Sequence, residues 1–139
     1  MFSGIGAIEH ALKRLKLKSE IVFACDNDAF VKESYLANYQ INDKHFYDDV
    51  SDSSLNAKKY KHNVDLLVGG SPCQSFSMIG ERKGLEDTRG TLFYDFARVI
   101  SECRPKVFIF ENVKALLSVD NGAAWKTVYN RFQKTGYHI

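Results

Sequence analysis

Val64-Asp65-Leu66-Leu67-Val68-Gly69-Gly70-Ser71-Pro72-Cys73-Gln74-Ser75-Phe76-Ser77 sets the frame for the whole chain. Val64, Leu66, Leu67 and Val68 form an apolar run bounded by turn residues, which reads as a buried strand. Cys73 stands just past the carboxyl end of that strand. Ligands and catalytic groups collect at that edge of an open α/β sheet, so a thiol held there by a loop is placed to act as a nucleophile. Pro72 fixes one backbone torsion and biases Ser71 toward an extended shape, which narrows the directions open to Cys73. Gly69 and Gly70 let another molecule come close to the backbone. A single free cysteine is most often a small buried hydrophobe, but that role needs none of the surrounding Gly, Ser, Pro and Gln.

The chain has 139 residues, 45% hydrophobic and 26% charged, the make-up of one ordinary soluble domain with a sizeable core. No run is apolar for long enough to span a membrane, and the start does not read as a signal peptide. Three cysteines (Cys25, Cys73, Cys103) without close pairs argue against a disulfide framework or a zinc site and for a reducing compartment. The four histidines are scattered singly, so no metal is expected. A net charge of +2 neither demands nor excludes nucleic acid. Positive surface for DNA would have to come from local clustering or from parts outside this chain. Lys58, Lys59 and Lys61, like Lys13, Arg14, Lys16 and Lys18, read as solvated faces.

Toward the amino terminus, Met1-Phe2-Ser3-Gly4-Ile5-Gly6-Ala7 is a Gly-x-Gly turn entering a helical pattern with Ile8, Ala11, Leu12 and Leu15 on one face. The strand that should precede such a turn is missing from the sequence. Ile21-Val22-Phe23-Ala24-Cys25 reads as a strand ending at Asp26, 20 residues beyond Gly6. An acidic residue at that distance meets ribose hydroxyls in nucleotide-binding α/β units, because one crossover helix returns the chain to the same edge. A Gly-x-Gly alone is more often a plain strand-to-helix turn, and Asp26 makes the two readings about even. Asp28 is the expected N-cap of a helix carrying Phe30, Val31, Tyr35 and Leu36. A polar stretch from Asn38 to Asn63 follows, with Asp48-Asp49-Val50 inside it.

Beyond Cys73, residues 78–90 hold three glycines and six charged side chains without periodicity. They read as a long surface loop of the kind that serves as a lid or binding loop. Leu92, Phe93, Phe96, Val99, Ile100 and Cys103 make an amphipathic helix that stops before Pro105, with Cys103 in the core. Val107-Phe108-Ile109-Phe110 reads as a buried strand that brings Glu111-Asn112-Val113 to the edge holding Cys73. A carboxylate directly after four large apolar residues should feel a low dielectric, which favours its protonated form. A last helix over residues 123–134, with Ala124, Val128 and Phe132 on one side, ends near Gly136, and Tyr137-His138-Ile139 looks like the start of another strand.

Taken together these residues resemble the C5-cytosine DNA methyltransferase family. Phe2-Ser3-Gly4-Ile5-Gly6 is similar to its cofactor turn, Gly70-Ser71-Pro72-Cys73-Gln74 to its nucleophile motif, and Glu111-Asn112-Val113 to its second catalytic motif, in the family's order. The resemblance implies an α/β, Rossmann-like S-adenosylmethionine-dependent sheet with helices on both faces, incomplete at both ends. Residues 1–139 would be a partial catalytic domain without a target-recognition domain. It places Phe2, Gly4, Gly6, Asp26, Asn27, Asp49, Val50 and Pro72 around S-adenosylmethionine. Asn27 stands where relatives often carry a large apolar residue. It makes Cys73 the nucleophile, with Glu111, Pro72 and Asn112 in the catalytic motifs, and Gln74, Ser75, Ser77, Arg82, Lys83 and Arg89 contacts to DNA.

The chemistry accounts for these residue types. Carbon 5 of cytosine is a poor nucleophile until a thiolate adds at carbon 6, and a free cysteine, with a pKa of about 8.5, needs help to ionise. Glu111, protonated or sharing a proton, would bond ring nitrogen 3 and the amino group and draw charge away as the thiolate attacks. The base must first be flipped from the duplex, at a cost of a few kcal/mol. The family's later Gln-x-Arg motif, recognition domain and closing segment are absent from the sequence, so a fragment or one piece of a split enzyme is expected, with a complementary chain supplying the rest. No membrane or metal partner is implied, and the place of action is a bacterial-type cytoplasm or wherever genomic DNA resides. Three alternatives stand beside this reading: a transfer-RNA cytosine methyltransferase of the same family, a non-catalytic remnant that binds cofactor or partner, and a nicotinamide-dependent dehydrogenase suggested by Gly-x-Gly and Asp26.

Overall fold

The computed structural model describes residues 1–51, 54–71 and 92–139. Among the described residues four short parallel strands form two pairs. β1 (Ala24–Cys25) lies beside β2 (Phe46–Tyr47), with Ala24 opposite Phe46 and Cys25 opposite Tyr47. β3 (Leu66–Gly69) lies beside β4 (Val107–Phe110), in register from Leu66 opposite Val107 to Gly69 opposite Phe110. Parallel neighbours need a crossover, and each pair has one: α2 (Ala29–Asn38) between β1 and β2, α3 (Leu92–Cys103) between β3 and β4. α1 (Ala7–Arg14) precedes β1 and α4 (Ala123–Gln133) follows β4.

The local signals explain most of these elements. The Asp28 carboxylate accepts the N–H groups of Phe30 and Val31 at 2.8 and 3.2 Å, as an N-cap should. α3 turns Phe93, Phe96, Ala97, Val99, Ile100 and Cys103 inward, all 0% exposed. Burying each large side chain contributes about 1.5–3 kcal/mol, so α3 is the helix on which the core is built. Phe108 and Phe110 share one face of β4 and meet Phe96 and Phe132, the last from α4, at ring separations of 5.0–6.3 Å. Gly136, at φ 85°, turns the chain after α4.

Several sequence expectations are corrected here. β4 is not a buried strand: Val107 and Ile109 are 56% and 49% exposed, because α3 and α4 both cover the face that holds Phe108 and Phe110. β1 ladders only Ala24 and Cys25 of the expected five residues, because β2 offers two partners. β2 itself, two residues inside a polar stretch, carries too short an apolar signal to be anticipated. Residues 137–139 form no strand.

Residues 1–3 join the two strand pairs. The Met1 ammonium donates to the Val68 carbonyl at 2.7 Å, and the Ser3 N–H donates to the Cys25 carbonyl at 2.9 Å. Behind that bridge lies a cavity of about 780 Å³ between residues 21–23 and 63–68, also lined by Ile8 and Leu12 of α1. It leaves the amphipathic α1 with no buried residue. No helix among the described residues is long and apolar enough to cross a membrane.

Candidate active site and cofactor cleft

Residues 1–3 link the carboxyl ends of β1 and β3, and the turn at Gly4 closes onto Asp26 just past β1. The Gly4 N–H donates to Asp26 Oδ2 at 2.9 Å and the Asp28 N–H to Asp26 Oδ1 at 3.2 Å. A carboxylate has about four lone-pair sites, so Asp26 is oriented by the backbone and still able to accept hydroxyl donors. Ser3, which the sequence reading passed over, locks the turn to β1: its hydroxyl donates to the Cys25 carbonyl at 3.2 Å and accepts the Cys25 N–H at 3.1 Å. Phe2 and Gly4 have φ of 53° and 51°. A Cβ on Gly4 would meet nothing within 4 Å, so its face of the turn is open to a ligand.

Gly6 has a different reason to be glycine. Its φ is +82° and a Cβ there would lie 2.1 Å from the Tyr39 ring. The Tyr39 hydroxyl donates to the Gly6 carbonyl at 2.7 Å. Tyr39 is thus a second support that the pattern of glycines did not reveal.

Asp49 and Val50 follow β2 at the same edge. Asp49 is exposed and accepts the Ser51 N–H at 2.9 Å as well as the Ser51 hydroxyl. The Ser51 hydroxyl, then the Ser51 N–H, hold its carboxyl below the usual carboxylate range, and Arg98 adds to this. Val50 is 3% exposed, so its side chain belongs to the core and the backbone is what it can offer a ligand. Asn27 is exposed.

At the carboxyl end of β3, Gly70 and Glu111 are in contact. A Cβ on Gly70 would lie 2.8 Å from the Glu111 carbonyl oxygen and 2.8 Å from its Oε2. The Glu111 N–H donates to the Gly69 carbonyl at 3.0 Å. Asn112 is engaged structurally, its amide donating to the Ser71 carbonyl at 2.8 Å and its Oδ1 accepting the Val113 N–H at 3.0 Å. Glu111 is exposed, so the low-dielectric surroundings expected of it are not found; the open face of β4 is the reason. The cavity between the strand pairs is bordered by Phe2 and Ser3 next to the glycine turn and by Gly69, Gly70 and Glu111 at the end of β3, so the two motifs stand beside the same space.

Pro72, Cys73, Gln74, Ser75, Ser77, Arg82, Lys83 and Arg89 lie outside the described residues. The other two cysteines are accounted for: burial pushes the Cys25 thiol up to about 12 and the Cys103 thiol up to about 11. Neither ionises near neutrality, so neither serves as a nucleophile. Among the described residues no group of His, Cys, Asp and Glu is placed to hold a metal.

The family model for C-5 cytosine-specific DNA methylases matches residues 1–139. The chain belongs to that family. It is 43% identical over 139 residues to the orphan methyltransferase M.SPRI of Bacillus phage SPR, covering 100% of this chain and 31% of the relative. It is 38% identical over 139 residues to the type II methyltransferase M1.ScrFI of Lactococcus lactis subsp. cremoris, covering 100% of this chain and 34% of that one. The methylase chain thus spans about a third of the length of these curated relatives. Among solved structures it resembles the S. pombe Dnmt2 methyltransferase, with a TM-score of 0.68 and 27% identity over 93% of this chain and 39% of the other. That likeness agrees with an interrupted Rossmann-like methyltransferase sheet.

Proposed function

We propose that these residues form the cofactor-binding and nucleophile half of a DNA cytosine-5 methyltransferase of the restriction-modification kind. The observation that carries the reading is the contact of Gly70 with Glu111 at the end of β3 and a glycine turn oriented onto Asp26 at the end of β1, the two ends joined through residues 1–3. The donor set suits S-adenosylmethionine: Asp26 keeps free acceptor sites for ribose hydroxyls, the turn at Gly4 is open, and Asp49 with the Val50 backbone stands at the next strand end. Phe2, Gly6, Asn27 and Pro72 complete the assigned cofactor residues. When bound, that cofactor supplies the methyl group.

The chain's own residues do the rest. Cys73 adds as a thiolate to carbon 6 of a flipped cytosine, with Pro72 limiting its approach, and once carbon 5 carries the methyl group it loses its proton to solvent or a base and the carbon 6–sulfur bond breaks to release the thiolate. Glu111 shares a proton with ring nitrogen 3 of the bound base and accepts from the amino group, which stabilises the charge that develops on the ring. Asn112 positions Glu111 against the start of the nucleophile loop through Ser71. Gln74, Ser75, Ser77, Arg82, Lys83 and Arg89 contact the DNA backbone and flanking strand. The cavity between the strand pairs supports the further reading that this half works with a complementary segment or chain that completes the sheet and supplies target recognition, wherever genomic DNA is held.

Covalent trapping tests the proposal. The chain, S-adenosylmethionine and a diverse DNA pool containing 5-fluorocytosine should yield a protein–DNA adduct that Cys73→Ser abolishes. Fluorine at carbon 5 does not leave as a proton does, so the enzyme stays attached. An adduct formed with an RNA pool and not with DNA would replace this reading by the RNA-directed one. Cofactor binding without any adduct, even after supplying the remaining segments of a relative, would leave a binding remnant instead.

A further inference from the structure

Arg98 belongs to no motif that the sequence singles out, yet it holds the segment that follows β2 in place. Its Nη2 donates to the Val50 carbonyl at 2.5 Å and its Nη1 to the Leu55 carbonyl at 3.1 Å. The fork is oriented from its own helix, by Asp95 at 3.3 Å one turn before and Glu102 at 3.1 Å one turn after. The same Glu102 Oε2 accepts the Ala57 N–H at 3.1 Å. One guanidinium with its carboxylates therefore ties three backbone positions, 50, 55 and 57, to the face of α3. Val50, Leu55 and Ala57 are buried at 3%, 0% and 0% exposure, and the Arg98 side chain is itself only 19% exposed.

The segment needs such an anchor. Among the described residues the β1–β2 ladder ends at Tyr47, and the bonds from Ser51 to Asp49 brace the first turn after it. A planar guanidinium bridges two carbonyls in a set geometry, which a lysine ammonium does not reproduce. α3 is a rigid base, since Phe93, Phe96, Val99 and Ile100 beneath it are fully buried.

We propose that Arg98 is a positioning residue for the cofactor: by pinning the Val50 and Leu55 carbonyls to α3 it sets the place of Asp49 and the Val50 backbone, and through them the affinity for S-adenosylmethionine, without touching that molecule. This rests on the assignment of Asp49 and Val50 to the cofactor cleft.

The test compares Arg98→Met and Arg98→Lys with Val128→Ala, a buried α4 residue placed in neither site, by calorimetric titration with S-adenosylmethionine, thermal melting and amide hydrogen exchange. Both Arg98 variants should weaken binding by about tenfold or more, because small misplacements of a positioning group carry costs of that order. Exchange at Ser51, Leu55 and Ala57 should quicken in both. Val128→Ala should lower the melting temperature while its affinity stays within about twofold of wild type. Arg98 variants that melt lower but keep wild-type affinity would reduce Arg98 to a structural role and overturn the proposal. An affinity loss shared equally by Val128→Ala would also overturn it, as a global effect. A wild-type chain with no saturable binding would overturn the cofactor assignment instead; unchanged exchange in the Arg98 variants would then reject the anchor as well.

Discussion

Gly70→Ala is the sharpest test of how the site is assembled. The added methyl would sit 2.8 Å from the Glu111 carbonyl oxygen, 2.8 Å from Oε2 and 3.5 Å from the carbonyl carbon. The carboxylate can swing aside, but the carbonyl is backbone and follows the Glu111 N–H, which makes the last β4 rung to Gly69 at 3.0 Å. Relief therefore requires that rung to lengthen. Overpacking of this kind costs about 1–3 kcal/mol, and weakening one hydrogen bond adds about 1 kcal/mol. At roughly 4 °C per kcal/mol for a domain of this size, melting should fall by some 8–16 °C. Covalent trapping should fall about a hundredfold, since Glu111 leaves its place by a fraction of an ångström to an ångström. Gly4→Ala is the internal comparison, because its Cβ would meet nothing and only the φ of +51° is strained, which costs about 1–2 kcal/mol. Equal melting temperatures for wild type and Gly70→Ala would refute the packing argument. A lowered melting temperature with unchanged trapping would refute the claim that this contact places Glu111.

Other outcomes follow from single residues. The Cys25 and Cys103 thiols stay protonated in the folded chain up to about 12 and about 11, while in the unfolded chain they ionise near 9.0. Their contribution to stability is therefore complete below pH 9 and is lost as pH rises through 11 and 12; urea unfolding from pH 8 to 11 should show the decline, and Cys25→Ala with Cys103→Ala should flatten it. Ser71 Oγ is buried with no hydrogen-bond partner among the described residues, so Ser71→Ala should leave stability unchanged or raise it by about 1 kcal/mol; a loss of that size in urea unfolding would reveal a partner. Asp28→Ala removes the acceptor for two N–H groups of α2 and should cost about 1 kcal/mol, read from the same unfolding curves.

The sequence alone determined the order and type of the main elements, since periodicity and capping are local properties. Asp28 caps α2, Leu92 to Cys103 forms α3 with Cys103 inside, and Ala124, Val128 and Phe132 bury the last helix, as their spacing implies. It also marked Gly4, Asp26, Gly70 and Glu111 as candidates, through their order and spacing together, since each taken alone has an ordinary structural use. Only tertiary structure decided which faces are covered. That α3 and α4 share one face of β4, leaving Val107, Ile109 and Glu111 exposed, depends on where helices far apart in the chain come to rest. The supports of the site were hidden for the same reason. Ser3, Tyr39 and Arg98 act through backbone carbonyls 22 to 48 residues away, and a bond to a carbonyl leaves no trace in the identity of the residue that accepts it.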